Sequence, residues 1–177
     1  MDYNYGMYTY NIIDKNFEKL LALDLREVSA KENLIFFCVG CDKWTIDCFA
    51  PMIGTILKHK YNIKSLVFGE LDNCITKTNY LEYFHYLKDK FPNYKILVID
   101  TALSDYQNLG FVKFSKDGLV VGSALHNDCA EKIGDYFITA NIGVLPFNSN
   151  SCLPMPSLGK VYYYAKKISC AIAYALL

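Results

Sequence analysis

Apolar residues fall into two alternating patterns along the chain. Between Asp14 and Ser29, Phe17, Leu20, Leu21 and Leu25 recur at helical spacing, which predicts an amphipathic helix. Asn33 to Val39 is instead a short unbroken apolar run closed by Gly40, the signature of a strand covered on both faces. The alternation then repeats. Phe49, Met52, Ile53, Ile56 and Leu57 form one stripe between Cys48 and Lys60, a helix opening at Asp47. Pro51 is tolerated in its first turn, where backbone donors have no intrahelical partner. Ser65 to Phe68 reads as a strand, Gly69 to Lys77 as a polar loop, Asn79 to Lys90 as a helix with Tyr80, Phe84 and Leu87 on one side, and Lys95 to Ile99 as an apolar strand ended by Asp100. Shorter strands are expected near Gly110 to Phe114 and Tyr136 to Ile142, separated by a loop containing His126, with a last helix from about Leu158 to Leu176.

Strands alternating with helices of about ten residues imply right-handed crossovers and a mainly parallel sheet covered on both faces, so the fold class is α/β. If the first apolar strand is central, with the second and third on either side of it, the strand order reverses between the first and the third. Ligands in such sheets sit outside the carboxyl ends at that switch point. The loops leaving those two strands are Gly40 to Asp47 and Asp100 to Gln107, and each carries an aspartate at its critical end.

Composition narrows the classes that remain. A chain of 177 residues, 53% of them hydrophobic, suffices for one domain over residues 1–177 and is too short for two; residues 1–30 read as an N-terminal helical extension. Eighteen Lys and Arg balance eighteen Asp and Glu, and Arg26 is the single arginine, so there is no electrostatic footprint for nucleic acid. No stretch approaches ~18 uninterrupted apolar residues, and Met1 to Tyr10 lacks a basic patch followed by an apolar run. The expectation is an unexported cytoplasmic protein that does not enter a membrane. Seven cysteines, an odd number, are then expected to be reduced thiols.

Asp47 and Asp100 are the first candidates for chemistry. Two carboxyls brought close do not both ionise readily, so one keeps a proton and serves as general acid while the other activates water. Hydrolysis follows naturally from such a pair. The plainer alternatives are that Asp47 caps the helix behind it and that Asp100 ties down a loop. Cys38 and Cys41 form a lone C-x-x-C, but Cys38 lies inside an apolar strand and no second pair completes a zinc site. Cys48, at the start of a helix whose dipole favours the thiolate, is the better thiol nucleophile. His59 and His85 fall on polar parts of helices. His126, beside Asn127 and Asp128, could join Asp47 and Asp100 as ligands of a divalent metal if its loop folds over the crevice. Glu70 and Asp72 either reach the same sheet edge or face solvent. With Gly40 the only glycine of its loop, no glycine-rich phosphate cradle is present, so no nucleotide cofactor is expected.

Several ordered runs resemble a known family. Phe37-Cys-Val-Gly-Cys-Asp-Lys-Trp-Thr-Ile-Asp-Cys-Phe-Ala-Pro51 resembles the signature of the YyaC-type sporulation proteins, a strand ending Cys-x-Gly-Thr-Asp-Arg followed by Gly-Asp-Ser-Leu-Gly-Pro. Val67-Phe-Gly-Glu-Leu71 is similar to that family's Tyr-Gly-Thr-Leu, Val98-Ile-Asp-Thr-Ala-Leu103 to its Val-Asp-Ala-Cys-Leu, and Gly134-Asp-Tyr-Phe-Ile-Thr139 to its Gly-Asp-x-x-Ile-Thr. The resemblance covers about Asn33 to the C-terminus.

It implies kinship with the germination protease that degrades small acid-soluble spore proteins, and more distantly with hydrogenase maturation endopeptidases. The implied architecture is a three-layer α/β/α sandwich of phosphorylase/hydrolase-like type with a mainly parallel, mixed sheet. The implied activity is peptide hydrolysis in the cytoplasm of a sporulating cell or forespore, with Asp47 and Asp100 as the catalytic or metal-binding pair. Gly40, Asp42 and Asn127 would lie along the substrate. The partner would be a protein or peptide, small acid-soluble spore proteins among them, and a second copy of the chain is a further candidate. Ile46 and Ala50 stand where the family pattern has glycine, and Asp128 where it has a basic residue. Those departures set beside the first expectation a second, a sporulation binding or scaffold protein that keeps the fold without turnover.

Overall fold

The structure, a computed structural model, describes residues 6–121, 131–144 and 155–176. Its centre is a six-stranded mixed sheet of β1 (Met7–Asn11), β2 (Asn33–Cys38), β3 (Leu66–Phe68), β4 (Tyr94–Ser104), β5 (Phe111–Ser115) and β8 (Tyr136–Val144), in the order β1-β5-β8-β4-β2-β3. The pairs β3–β2, β2–β4 and β4–β8 are parallel, whereas β5 runs antiparallel to both β8 and β1. Two short strands, β6 (Leu119–Val120) and β7 (Lys132–Ile133), pair as a separate ribbon. The central place of β2, between β3 and β4, creates the expected switch point.

Strand alternation sends the two sets of apolar side chains to opposite faces. Leu34, Phe36 and Cys38 of β2 with Leu97 and Ile99 of β4 pack under α1 (Phe17–Ser29), α2 (Phe49–Thr55) and α4 (Leu158–Leu176). Ile35 and Phe37 with Ile96 and Val98 pack under α3 (Tyr80–Lys90), where Tyr80, Phe84 and Leu87 face inward, and under Ile133 of the ribbon. Burial on both faces is why β2 and the first half of β4 read as unbroken apolar runs. The result is a three-layer α/β/α sandwich. α2 continues into a π turn, Ile56–Lys60, and no helix among the described residues is long and apolar enough to cross a membrane.

Three features differ from the sequence reading. Residues 1–30 contain more than a helix: β1 forms an edge of the sheet, with Tyr8 stacked on Phe114 at 5.9 Å and the Tyr10 hydroxyl donating to Asp24 at 2.5 Å. Its half-buried alternation of Met-Tyr-Thr-Tyr-Asn carries too few aliphatic residues to register as a strand. Asp100 does not end β4, because β8 keeps pairing with it as far as Ser104 opposite Val144. Asp47 is not the cap of α2: Cys48 occupies that position and no side chain bonds to the free amides there.

The Gly134-Asp135 pair splices β8 beside β4. Gly134 adopts φ +81°, and a Cβ there would lie 2.5 Å from Val98 Cγ2. Asp135 accepts the Ile96 N–H at 2.9 Å and Lys95 Nζ at 3.1 Å, with Lys88 of α3 at 3.6 Å. Partial burial pushes its carboxyl up, but the Ile96 N–H and the two lysines outweigh that and hold it below the ordinary value. Stability from this group is therefore present above pH 4 and lost as pH falls through its folded pKa. Asp135→Asn is expected to lower the Tm at pH 7 by about 4 °C, from a loss of roughly 1–2 kcal/mol, with the difference closing in acid. Thermal melts at pH 7 and pH 3 would check it; an equal loss at both would dismiss the ionic account.

Candidate functional site

β2 stops at Cys38, opposite Ile99 of β4, and the Val39 N–H closes the pairing on the Ile99 carbonyl at 2.9 Å. Asp100 is thus the first residue of β4 past the point where β2 leaves the sheet. On its other side β4 remains paired with β8, Asp100 lying opposite Thr139. The chain leaving β2 turns at Gly40, whose N–H donates to the Ile75 carbonyl at 2.8 Å, and loops back so that the Cys41 N–H meets the Asp47 carbonyl at 3.2 Å. A turn over Thr45–Cys48, closed by the Asp47 and Cys48 N–H groups on the Trp44 carbonyl at 2.9 and 3.0 Å, leaves Asp47 half-exposed.

The two aspartates are brought together. The Thr101 hydroxyl, next to Asp100, donates to the carbonyl of Ile46, next to Asp47, at 3.1 Å. Burial pushes the Asp100 carboxyl up to about 7, against the pull of the Thr101 N–H that donates to its Oδ1 at 2.7 Å, and the charge of Asp47 raises it further. At neutral pH Asp100 is therefore close to half protonated, the condition a general acid requires.

Three thiols lie near Asp47, and none is activated. The Cys41 thiol is pushed up by burial and by its hydrogen bond to the Asp47 side chain. Burial likewise pushes up Cys48, whose thiol donates to the Thr45 carbonyl at 3.0 Å, and Cys74. This corrects the expectation for Cys48: desolvation and the neighbouring carboxylates outweigh any help from a seven-residue helix. Cys38 is wholly buried and also pushed up, and the five described cysteines are all free.

Asp42 is exposed in the same loop. Trp44 is 63% exposed, and Phe49 is fully buried in the core. Glu70 lies at the carboxyl edge of β2 and β3, where its charge acts on Cys38, and does not face solvent, being 6% exposed and paired with Lys58 of the π turn. His59 and His85 are exposed, the latter 3.3 Å from Glu131. Asn127 and His126 lie outside the described residues. Among the described residues no three His, Cys, Asp or Glu side chains converge as a metal site. Sequence reasoning missed Thr101 and Gly143; a Cβ on Gly143 would sit 2.0 Å from Ile46 Cδ1, so this β8 glycine seats the residue preceding Asp47. The one signal for Thr101 was a hydroxyl directly after the aspartate in an apolar strand.

Over 133 residues the chain is 23% identical to a Bacillus subtilis (strain 168) protein described as "Uncharacterized protein YyaC", a match that covers 75% of this chain and 64% of that protein, less than two thirds of its length. A family model described as "Protein of unknown function (DUF1256)" matches residues 6–171, which include every strand and nearly all of the last helix of the described fold. With its ordered motifs and its sandwich inside that span, the chain belongs to the DUF1256 family of YyaC-like proteins.

Proposed function

We propose that the chain is a peptidase of sporulating cells that hydrolyses peptide bonds with Asp47 and Asp100. The observation that carries this reading is the state of Asp100, the first residue of β4 past the end of β2, whose carboxyl burial raises to about 7 with Asp47 adding to the shift. In the ground state Asp100 holds the proton and Asp47 is the carboxylate. As water attacks the peptide carbonyl carbon, Asp47 takes a proton from the water and Asp100 gives its own to the carbonyl oxygen. Collapse of the tetrahedral intermediate passes the proton on Asp47 to the leaving nitrogen. The hydroxyl proton of the intermediate returns to Asp100, restoring both groups. Asp42, exposed beside this crevice, and Asn127 would contact the substrate backbone or its charged groups.

The test is cleavage of small acid-soluble spore proteins by the purified full-length chain, with and without Asp47→Asn or Asp100→Asn, in the presence of a chelator. Cleavage by the wild type and its loss in both variants is the expected result. Undiminished cleavage by either variant removes that residue as a catalyst. Because the raised carboxyl must be protonated, activity is expected to fall as pH rises through about 7, and a rate still climbing between pH 7 and pH 9 contradicts Asp100 as the acid.

A further inference from the structure

The loop that carries Asp47 closes on itself at one point and is pinned to the sheet at two, none of which has a part in bond making. At its start, a Cβ on Gly40 would lie 2.1 Å from the Asp47 carbonyl oxygen, so the loop closes on bare backbone. Near its end, the Ile46 carbonyl accepts the Thr101 hydroxyl of β4 at 3.1 Å. The Ile46 side chain, 8% exposed, is lodged over Gly143 of β8, where an added Cβ would meet Ile46 Cδ1 at 2.0 Å and Leu103 Cδ2 at 2.8 Å. Gly143 owes its place to a register shift: β4 and β8 pair Ala102 with Asn141 and then Leu103 with Gly143, so one β8 residue is skipped where the Ile46 side chain comes down. Two sheet strands thus grip the residue immediately before Asp47, one by its carbonyl and one by its side chain.

We propose that Thr101 and Gly143 are positioning residues that fix the Gly40–Cys48 loop so that Asp47 faces Asp100. The inference rests on Asp47 and Asp100 forming a working pair. Consecutive strand residues point to opposite faces, so the Thr101 hydroxyl points away from the Asp100 carboxyl and reaches it through the loop, while the direct bond from the Thr101 N–H to Asp100 Oδ1 is backbone and is kept by valine and serine alike. Among the described residues, Asp47 is the one charged side chain that shifts Asp100. Loss of the grip on Ile46 must therefore register as a weaker influence of Asp47 on Asp100, whether or not a substrate is present.

The experiment compares Thr101→Val, which keeps the shape and removes the hydroxyl, with Thr101→Ser, which keeps the hydroxyl. The carboxyl of Asp100 is titrated by NMR in the full chain labelled at aspartate carboxyl carbons, and cleavage is measured beside it. Thr101→Val is expected to lower the Asp100 midpoint by about 0.5 unit. It should also move the alkaline limb of the cleavage profile by the same amount and cut kcat about tenfold with KM within about twofold. Thr101→Ser should match the wild type in all three. A folded Thr101→Val with an unmoved midpoint overturns the inference, as does a serine variant that behaves like valine. If the wild type cleaves nothing, the peptidase reading falls while the titration still decides the positioning. Should Thr101→Val not fold, Gly143→Ala replaces it: it is expected to lower the midpoint, and Ile46→Val, which removes the clashing Cδ1, should restore it. No restoration, or no shift at all, overturns the role of Gly143.

Discussion

Asp100→Asn is expected to abolish cleavage and at the same time make the protein more stable at pH 8. The carboxyl is raised from 3.8 to about 7 in the folded chain because burial disfavours its charge and Asp47 repels it. A folded-state pKa above the unfolded one means that the folded chain binds the extra proton between those values. Stability from this group is thus fully present below about pH 4 and is lost as pH rises through about 7. Above that, keeping Asp100 ionised costs on the order of 4 kcal/mol. Asparagine has no charge to desolvate, and its carbonyl oxygen can still accept the Thr101 N–H that now reaches Oδ1. The variant should therefore melt roughly 8 °C above the wild type at pH 8 and close to it at pH 4. On the proposed peptidase reading catalysis moves the other way: with Asp100 as the general acid, its removal is expected to cost about a thousandfold in kcat. A variant that is stabilised but still cleaves would locate the strain correctly and the chemistry wrongly. Equal melting temperatures for variant and wild type at pH 8 would refute the raised carboxyl itself.

The switch point was legible in the sequence, whereas the contacts around the two aspartates were not. β2 and the first half of β4 are apolar because both of their faces are buried, so they announce themselves, and their crossover helices dictate the switch point. Asp100 is then visible as a polar group directly after one of those runs, and Asp47 as the far end of the loop that leaves the other. β1 was hidden because an edge strand with one covered face needs few aliphatic residues and here uses tyrosines. The continuation of β4 past Asp100 was hidden because Thr101 to Ser104 are held by β8 alone and are all only partly buried. Glu70 looks like a loop residue in sequence, yet Lys58, twelve positions earlier, neutralises it inside the fold. The grip on Ile46 depends on a skipped residue between β4 and β8, a long-range register that no local pattern of residue types encodes.

Gly40→Ala should be the most damaging single methyl group near the site. The position of Gly40 is fixed from both sides: its N–H is engaged by the Ile75 carbonyl at 2.8 Å, and the Asp47 carbonyl arrives to accept the Cys41 N–H at 3.2 Å. A Cβ would lie 2.1 Å from that carbonyl oxygen and 2.9 Å from Pro51 Cδ. Neither is the free end of a flexible side chain, so relief requires the loop backbone to move outward, breaking the Cys41 bond and carrying Asp47 away from Asp100. The expected cost is about 3 kcal/mol, a drop of roughly 8 °C in Tm, with cleavage lost and the Asp100 titration displaced downward. Gly159 provides the internal control. It lies in the first turn of α4 with no heavy atom within 4 Å of where its Cβ would stand, so Gly159→Ala should raise stability by about 0.5 kcal/mol through the unfolded chain alone. If the two substitutions have similar effects on Tm, the close approach of the Asp47 carbonyl to Gly40 is not what holds the loop, and the presentation of Asp47 to Asp100 would have to depend on Thr101 and Gly143 by themselves.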